Sequence, residues 1–196
     1  MDAEWQCREE HGMNAPLQHW QVLPHGRPTR IGDNMLTVTG DIYMPLVELP
    51  RRMTVVRLQG ARAKVQELVA VDTVAPNFKD PDVDFMVVPG TRGHEAALMV
   101  RGADDGCTLI LNDVVGNIRD AKGFGGWLLR LAGFAGDEPH VPSVVKMTVV
   151  NDTQALRLQL MEWAAMPTLT RMVVSHGDII EDNPRQVLRE LATSLD

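Results

Sequence analysis

Apolar and polar positions group into short blocks over the first half of the chain and shift to helical spacing in the second. From Gln21 to Asp41 the apolar groups are broken by Pro24, Pro28 and the Gly32-Asp33-Asn34 triplet, which predicts short strands joined by turns. Met53 to Leu58 (MTVVRL) is rich in β-branched residues and predicts a further strand. A short helix is expected over Ala61 to Leu68, followed by a loop punctuated by Pro76 and Pro81. Phe85 to Val88 is continuously apolar, so a strand buried on both faces is predicted there. Ala96 to Arg101 and Cys107 to Leu111 read as two more strands, with Asp105-Gly106 as a hairpin signal between them. Farther on, Trp127, Leu128, Leu131 and Phe134 share one face of a helix over about Lys122 to Ala135, the usual pattern of a core stripe. Asp152 is placed to cap a helix presenting Leu156, Leu160, Trp163 and Ala164, which Pro167 ends. Met172 to Ser175 is a late strand. Asn183 as N-cap and Pro184 at the first helical position open a last helix with Val187, Leu188, Leu191 and Leu195 as its core face. Strands first, then helices mixed with a strand, predict one layered α/β domain over residues 19–196, preceded by a polar, aperiodic leader over residues 1–18.

Composition narrows the functional classes. The chain has 196 residues, 44% hydrophobic and 23% charged, a balance that favours a single packed domain over disorder. A net charge of −7 and the lack of a basic run argue against nucleic acid. Cys7 and Cys107 make no disulfide framework, and Cys107, inside an apolar run, reads as a buried thiol, which suits a reducing compartment. The apolar runs fall short of the ~20 residues that span a bilayer, and Met1 to Gly12 is too polar for a secretory signal. A cytoplasmic protein with no membrane partner is expected; nothing in the sequence fixes its oligomeric state.

Two polar positions share an architecture. Asp113 follows the apolar run Thr108 to Leu111, and His176 follows Met172 to Ser175. Strand ends are where rigid backbone meets solvent, so sites assemble there. A carboxylate and an imidazole brought together suit a divalent metal such as zinc or iron; separately, they are ordinary turn residues. No GxSxG elbow is present, and Ser143, Ser175 and Ser194 lack a nucleophile context. Gly123 to Gly126 (GFGG) could cradle an anion at a helix start, but without a P-loop pattern a flexible loop is the expectation. His25 and His140 lie in proline-flanked turns and read as structural or surface residues.

The stretches WQVLPHG, NMLTVTGDIYMPL and RRMTVVRL, and beyond them GARAKVQELV, TLILNDVVGN and MVVSHGDIIE, resemble an uncharacterised branch of the metallo-β-lactamase superfamily over nearly all of the chain after the leader. The resemblance implies an αββα sandwich and a metal-dependent hydrolase acting on an ester, lactone or related bond of a small-molecule substrate. It assigns Asp113 in LILNDVV and His176 in VVSHGD as metal ligands. Two departures go with it. The superfamily's HxHxDH motif is absent, and only Gln59 separates the MTVVRL strand from a segment that should follow the whole motif-bearing unit, so the sandwich should be incomplete by roughly 50 residues, the size of a βαβ unit. Thr91 stands after Pro89-Gly90 where the family has a histidine, leaving His94, three residues on, as a third candidate ligand. Asp178 is either an orienting partner of His176 or a solvated turn acid. With only two or three ligands, weak metal binding and little turnover are expected, and the alternative is a metallo-β-lactamase-like scaffold that binds without catalysis.

Overall fold

The alternating segments form a meander and a mixed sheet. The computed structural model describes residues 24–59, 78–119, 121–131 and 133–195. β1 (Thr29–Gly32), β2 (Met35–Met44) and β3 (Val47–Val56) make an antiparallel sheet in that order. Alternation sets its faces: Met35 and Thr37 are buried, while Leu36 between them is exposed. A second sheet has the order β4 (Val83–Val87), β5 (Ala96–Arg101), β6 (Cys107–Asn117), β7 (Leu169–Gly177). β4, β5 and β6 are antiparallel neighbours, and β7 runs parallel to β6. A parallel neighbour demands a long crossover. It is supplied by α1 (Gly123–Leu131), α2 (Ser143–Thr148) and α3 (Thr153–Ala165); α4 (Pro184–Thr193) follows β7. Among the described residues the fold is therefore mixed α/β, with two sheets and four helices.

Strand parity decides what each layer touches. Ala97, Met99, Leu109, Leu111, Met172 and Val174 meet Leu156, Leu160 and Trp163 of α3 and Leu188 and Leu191 of α4. The alternate residues Leu98, Val100 and Ile110 meet Met35 and Val56 of the first sheet. A smaller cluster of Leu49, Ile118, Leu129 and Ala135 seats α1 on the start of β3. Leu156 and Leu160 are both completely buried, each contributing ~1.5–3 kcal/mol. Asp152, whose Oδ1 accepts from Ala155 N at 2.9 Å, adds about 1 kcal/mol as the cap. Packing, more than capping, thus fixes α3 to the sheet.

Most expected elements are present, with shifted ends. β5 and the Asp105-Gly106 hairpin match the expectation, with Asp105 at φ 59°. β2 and β3 are longer than expected because a hairpin closes at Pro45-Leu46 and β3 carries Pro50, Arg51 and Arg52 before the apolar MTVV run. Three expectations need correction. β4 is not buried on both faces: among the described residues it is the edge of its sheet, and Phe85, Met86 and Val87 are only half-buried. The expected stripe is core only in part: α1 ends at Leu131, Trp127 and Leu131 are 55% and 71% exposed, and Phe134, beyond the helix, packs with the buried Leu129. GFGG is no flexible loop but the first turn of α1. Asn183 does sit at the N-cap of α4, but in a left-handed conformation with no side-chain cap bond. The leader, the residues around Trp20, the Ala61 to Leu68 helix, Cys7 and the junction between Leu58 and Arg62 lie outside the described residues. Among the described residues no helix is long and apolar enough to cross a membrane.

Candidate functional site

Adjacent parallel strands carry the two candidate ligands to the same end of the sheet. β6 pairs with β7 through Leu111↔Val174, loses register, and resumes at Gly116↔His176. Asp113 lies in the bulge of β6 between those points, and His176 is the penultimate residue of β7. His176 Nε2 is 3.1 Å from Asp113 Oδ1, with the histidine side chain 15% exposed and the carboxylate 47%. Its other nitrogen, Nδ1, donates to the Pro50 carbonyl at 2.8 Å. Pro50, not Asp178, therefore orients the ring; Asp178 is an exposed residue. Gly177 follows in a φ of 104°, pressed so closely on Asn117 that a Cβ would overlap its carbonyl. Only glycine fits, and that close approach holds the end of β7 against β6.

The hydrogen bond that His176 donates to Asp113 is the main cause of a His176 pKa above its ordinary value; burial opposes it, and the Pro50 carbonyl and the charges of Asp113 and Glu95 add to it. With acceptors on both nitrogens, the metal-free ring favours imidazolium. A divalent cation in place of the Nε2 proton would keep the same orientation, because a metal-ligating histidine characteristically donates its other N–H to a carbonyl or carboxylate. Neither nitrogen is free to activate a serine or cysteine, so the pair is not a nucleophile's base.

The bulge rests on Glu95, which the sequence reading missed. Its carboxylate, 2% exposed, accepts from the backbone N–H groups of Asn112 (2.9 Å), Asp113 (2.9 Å) and Val114 (3.1 Å). Burial pushes its pKa up, the three N–H groups pull it down, and burial is the larger effect. Glu95 is the internal clamp that turns Asp113 toward His176. A signal was present: Glu95, Ala97 and Met99 have the same parity, which places the carboxylate on the buried face of β5.

His94, one residue earlier, is exposed, and among the described residues no group of three or more His, Cys, Asp and Glu side chains is placed to hold a metal. The structure joins Asp113 to His176 and leaves His94 outside. Thr91 is completely buried, its hydroxyl donating to the Val88 carbonyl at 2.6 Å. Cys107 is 2% exposed and burial raises its pKa, so it is a packing residue. His140 bonds the Glu138 and Gly133 carbonyls and is structural. No protein-family model and no curated protein matches this chain.

Proposed function

We propose that the chain is a metal-dependent hydrolase of metallo-β-lactamase type, its αββα sandwich incomplete, acting on an ester, lactone or related bond. Asp113 Oδ1 and His176 Nε2 are its two metal donors. The observation that supports this is their 3.1 Å approach, within a few tenths of an ångström of the ~3.3–3.5 Å between two tetrahedral ligands that each lie ~2.0–2.2 Å from one zinc. An imidazole nitrogen and a carboxylate oxygen are also the donor types that zinc or iron takes. When bound, such a cation lowers the pKa of a water toward neutrality and polarises the scissile group. The chain's own residues supply the orientation: Pro50 holds the ring, Glu95 holds the bulge, and Gly177 lets β7 approach β6. The test is competition of the full chain with a chromogenic chelator for zinc. Asp113→Asn and His176→Ala should each weaken binding at least ~10-fold, as loss of one good ligand does. Equal affinity in parent and both variants refutes the assignment.

A second reading, a scaffold of the same type that binds a small molecule without catalysis, is favoured by the buried Thr91 and by the lack of a third donor among the described residues. Its outcome differs: His176→Ala leaves ligand binding unchanged and there is no turnover to lose.

A further inference from the structure

A separate cleft of about 1100 Å³ opens between the β2–β3 hairpin, the end of β6 and the first turn of α1. That volume is slightly above the range of sites that take small organic ligands, about 300–1,000 Å³. Neither Asp113 nor His176 lines it, although Pro50 and Gly177, which flank the pair, do.

Several cations gather along this cleft. Arg51, Arg52, Arg119 and Lys122 line it, against three carboxylates, Asp41, Glu48 and Asp178. Four arginines elsewhere pair with carboxylates: Arg30 with Asp33, Arg101 with Asp84, Arg130 with Asp137, Arg171 with Glu181. In the cleft Arg119 is held by Asn117 Oδ1, a neutral group, at 2.9 Å. Arg52 gives its two terminal nitrogens to Thr37 Oγ1 (3.2 Å) and the Gly177 carbonyl (3.1 Å), both neutral. Its Nε is buried without a partner among the described residues. Beyond these neutral acceptors, the charge of Asp178 offsets part of the desolvation of the half-buried guanidinium, and burial remains the larger effect. Among the described residues the cleft thus carries four cations against three carboxylates, in a chain of net charge −7. Beside it, Tyr43, Leu46 and Phe124 line the same cleft and are 54%, 67% and 65% exposed. Large apolar side chains in that number at one mouth mark a binding surface.

We propose that the cleft binds a small organic anion with an apolar tail, its carboxylate or phosphate head against Arg52, Arg119 and Lys122 and its tail against Tyr43, Leu46 and Phe124. The site needs no metal. Its test is therefore calorimetry on the full chain in excess chelator, which separates it from the fate of the Asp113–His176 assignment. Octanoate, octyl phosphate, octanol and inorganic phosphate are the four probes. Octanoate or octyl phosphate should bind, and octanol and inorganic phosphate should each bind at least ~10-fold more weakly, the loss of one charge-assisted contact or of the tail's burial. The preferred anion identifies the head. Arg52→Gln should abolish binding, but because Arg52 ties β2 to β7 that variant can fail to fold. Arg119→Gln combined with Lys122→Gln, both at exposed positions, should weaken the anions ~10-fold or more while leaving the circular dichroism spectrum unchanged. Octanol binding as tightly as octanoate, inorganic phosphate as tightly as octyl phosphate, no binding by either amphipathic anion, or no effect of the double variant would each overturn the proposal.

Discussion

Replacing Glu95 with glutamine tests whether one buried carboxylate holds the bulge that presents Asp113. The parent side chain accepts three backbone N–H bonds, one at Oε1 and two at Oε2. Glutamine has a single acceptor oxygen. If it takes the Oε2 position, two bonds survive as neutral ones, each weaker by about 1 kcal/mol, and the new NH₂ faces the Asn112 N–H, stranding a donor at ~1–3 kcal/mol. Relief of the carboxylate's desolvation, the reason its pKa is raised, offsets part of that loss. The net destabilisation should be ~2–3 kcal/mol, large but survivable against the ~5–15 kcal/mol of a typical domain. The assay is urea unfolding at neutral pH, with the midpoint shifted and the slope unchanged. The sign with pH is a second check. Because the folded pKa lies above the ordinary one, the parent gives up stability as pH rises from the ordinary carboxylate range through the folded pKa, and Glu95→Gln lacks that dependence. A variant within ~0.5 kcal/mol of the parent, the range of an indifferent surface change, would refute the clamp.

Other expectations follow from the same geometry. In chelator-treated protein, a nuclear magnetic resonance titration should place His176 above its ordinary pKa, and Asp113→Asn should lower it; an unchanged value would show that the two side chains do not meet in solution. Because the folded pKa is raised, the pair's stabilising contribution is complete below about pH 6.5 and is lost as pH climbs through the folded value, a decline that Asp113→Asn should flatten in thermal melts. Gly177→Ala, at φ 104° against the Asn117 carbonyl, should cost at least ~1–3 kcal/mol from backbone strain alone, read by urea unfolding; a neutral result would mean β7 ends differently. Asp152→Ala removes the α3 cap and should cost about 1 kcal/mol, measured the same way.

Strands whose apolar residues run together were legible in the sequence, and so were the polar side chains that end them. Asp113 and His176 were found because each is the first strong donor past such a run, and their meeting follows from β6 and β7 being parallel neighbours. The front half of β3 was not legible, because Pro50-Arg51-Arg52 interrupts its pattern although the backbone still pairs with Thr39 to Asp41. The exposed face of α1 was misjudged for a different reason. Helical spacing shows that apolar residues share a side, but not whether anything covers it. Phe85 to Val88 failed likewise, since a short apolar run does not distinguish a central strand from an edge. Glu95 was overlooked beside the more conspicuous His94, although strand parity marked it as inward-facing.

The His176–Pro50 bond joins positions 126 residues apart in sequence, and the partner carboxylate comes from a third region of the chain. Contacts of that span cost more closure entropy than those of a hairpin and are slower to form. A chain in which β7 has not yet docked therefore carries the imidazole and the carboxylate as unrelated groups. The geometry that joins the two side chains is acquired when β7 docks against β6 and β3.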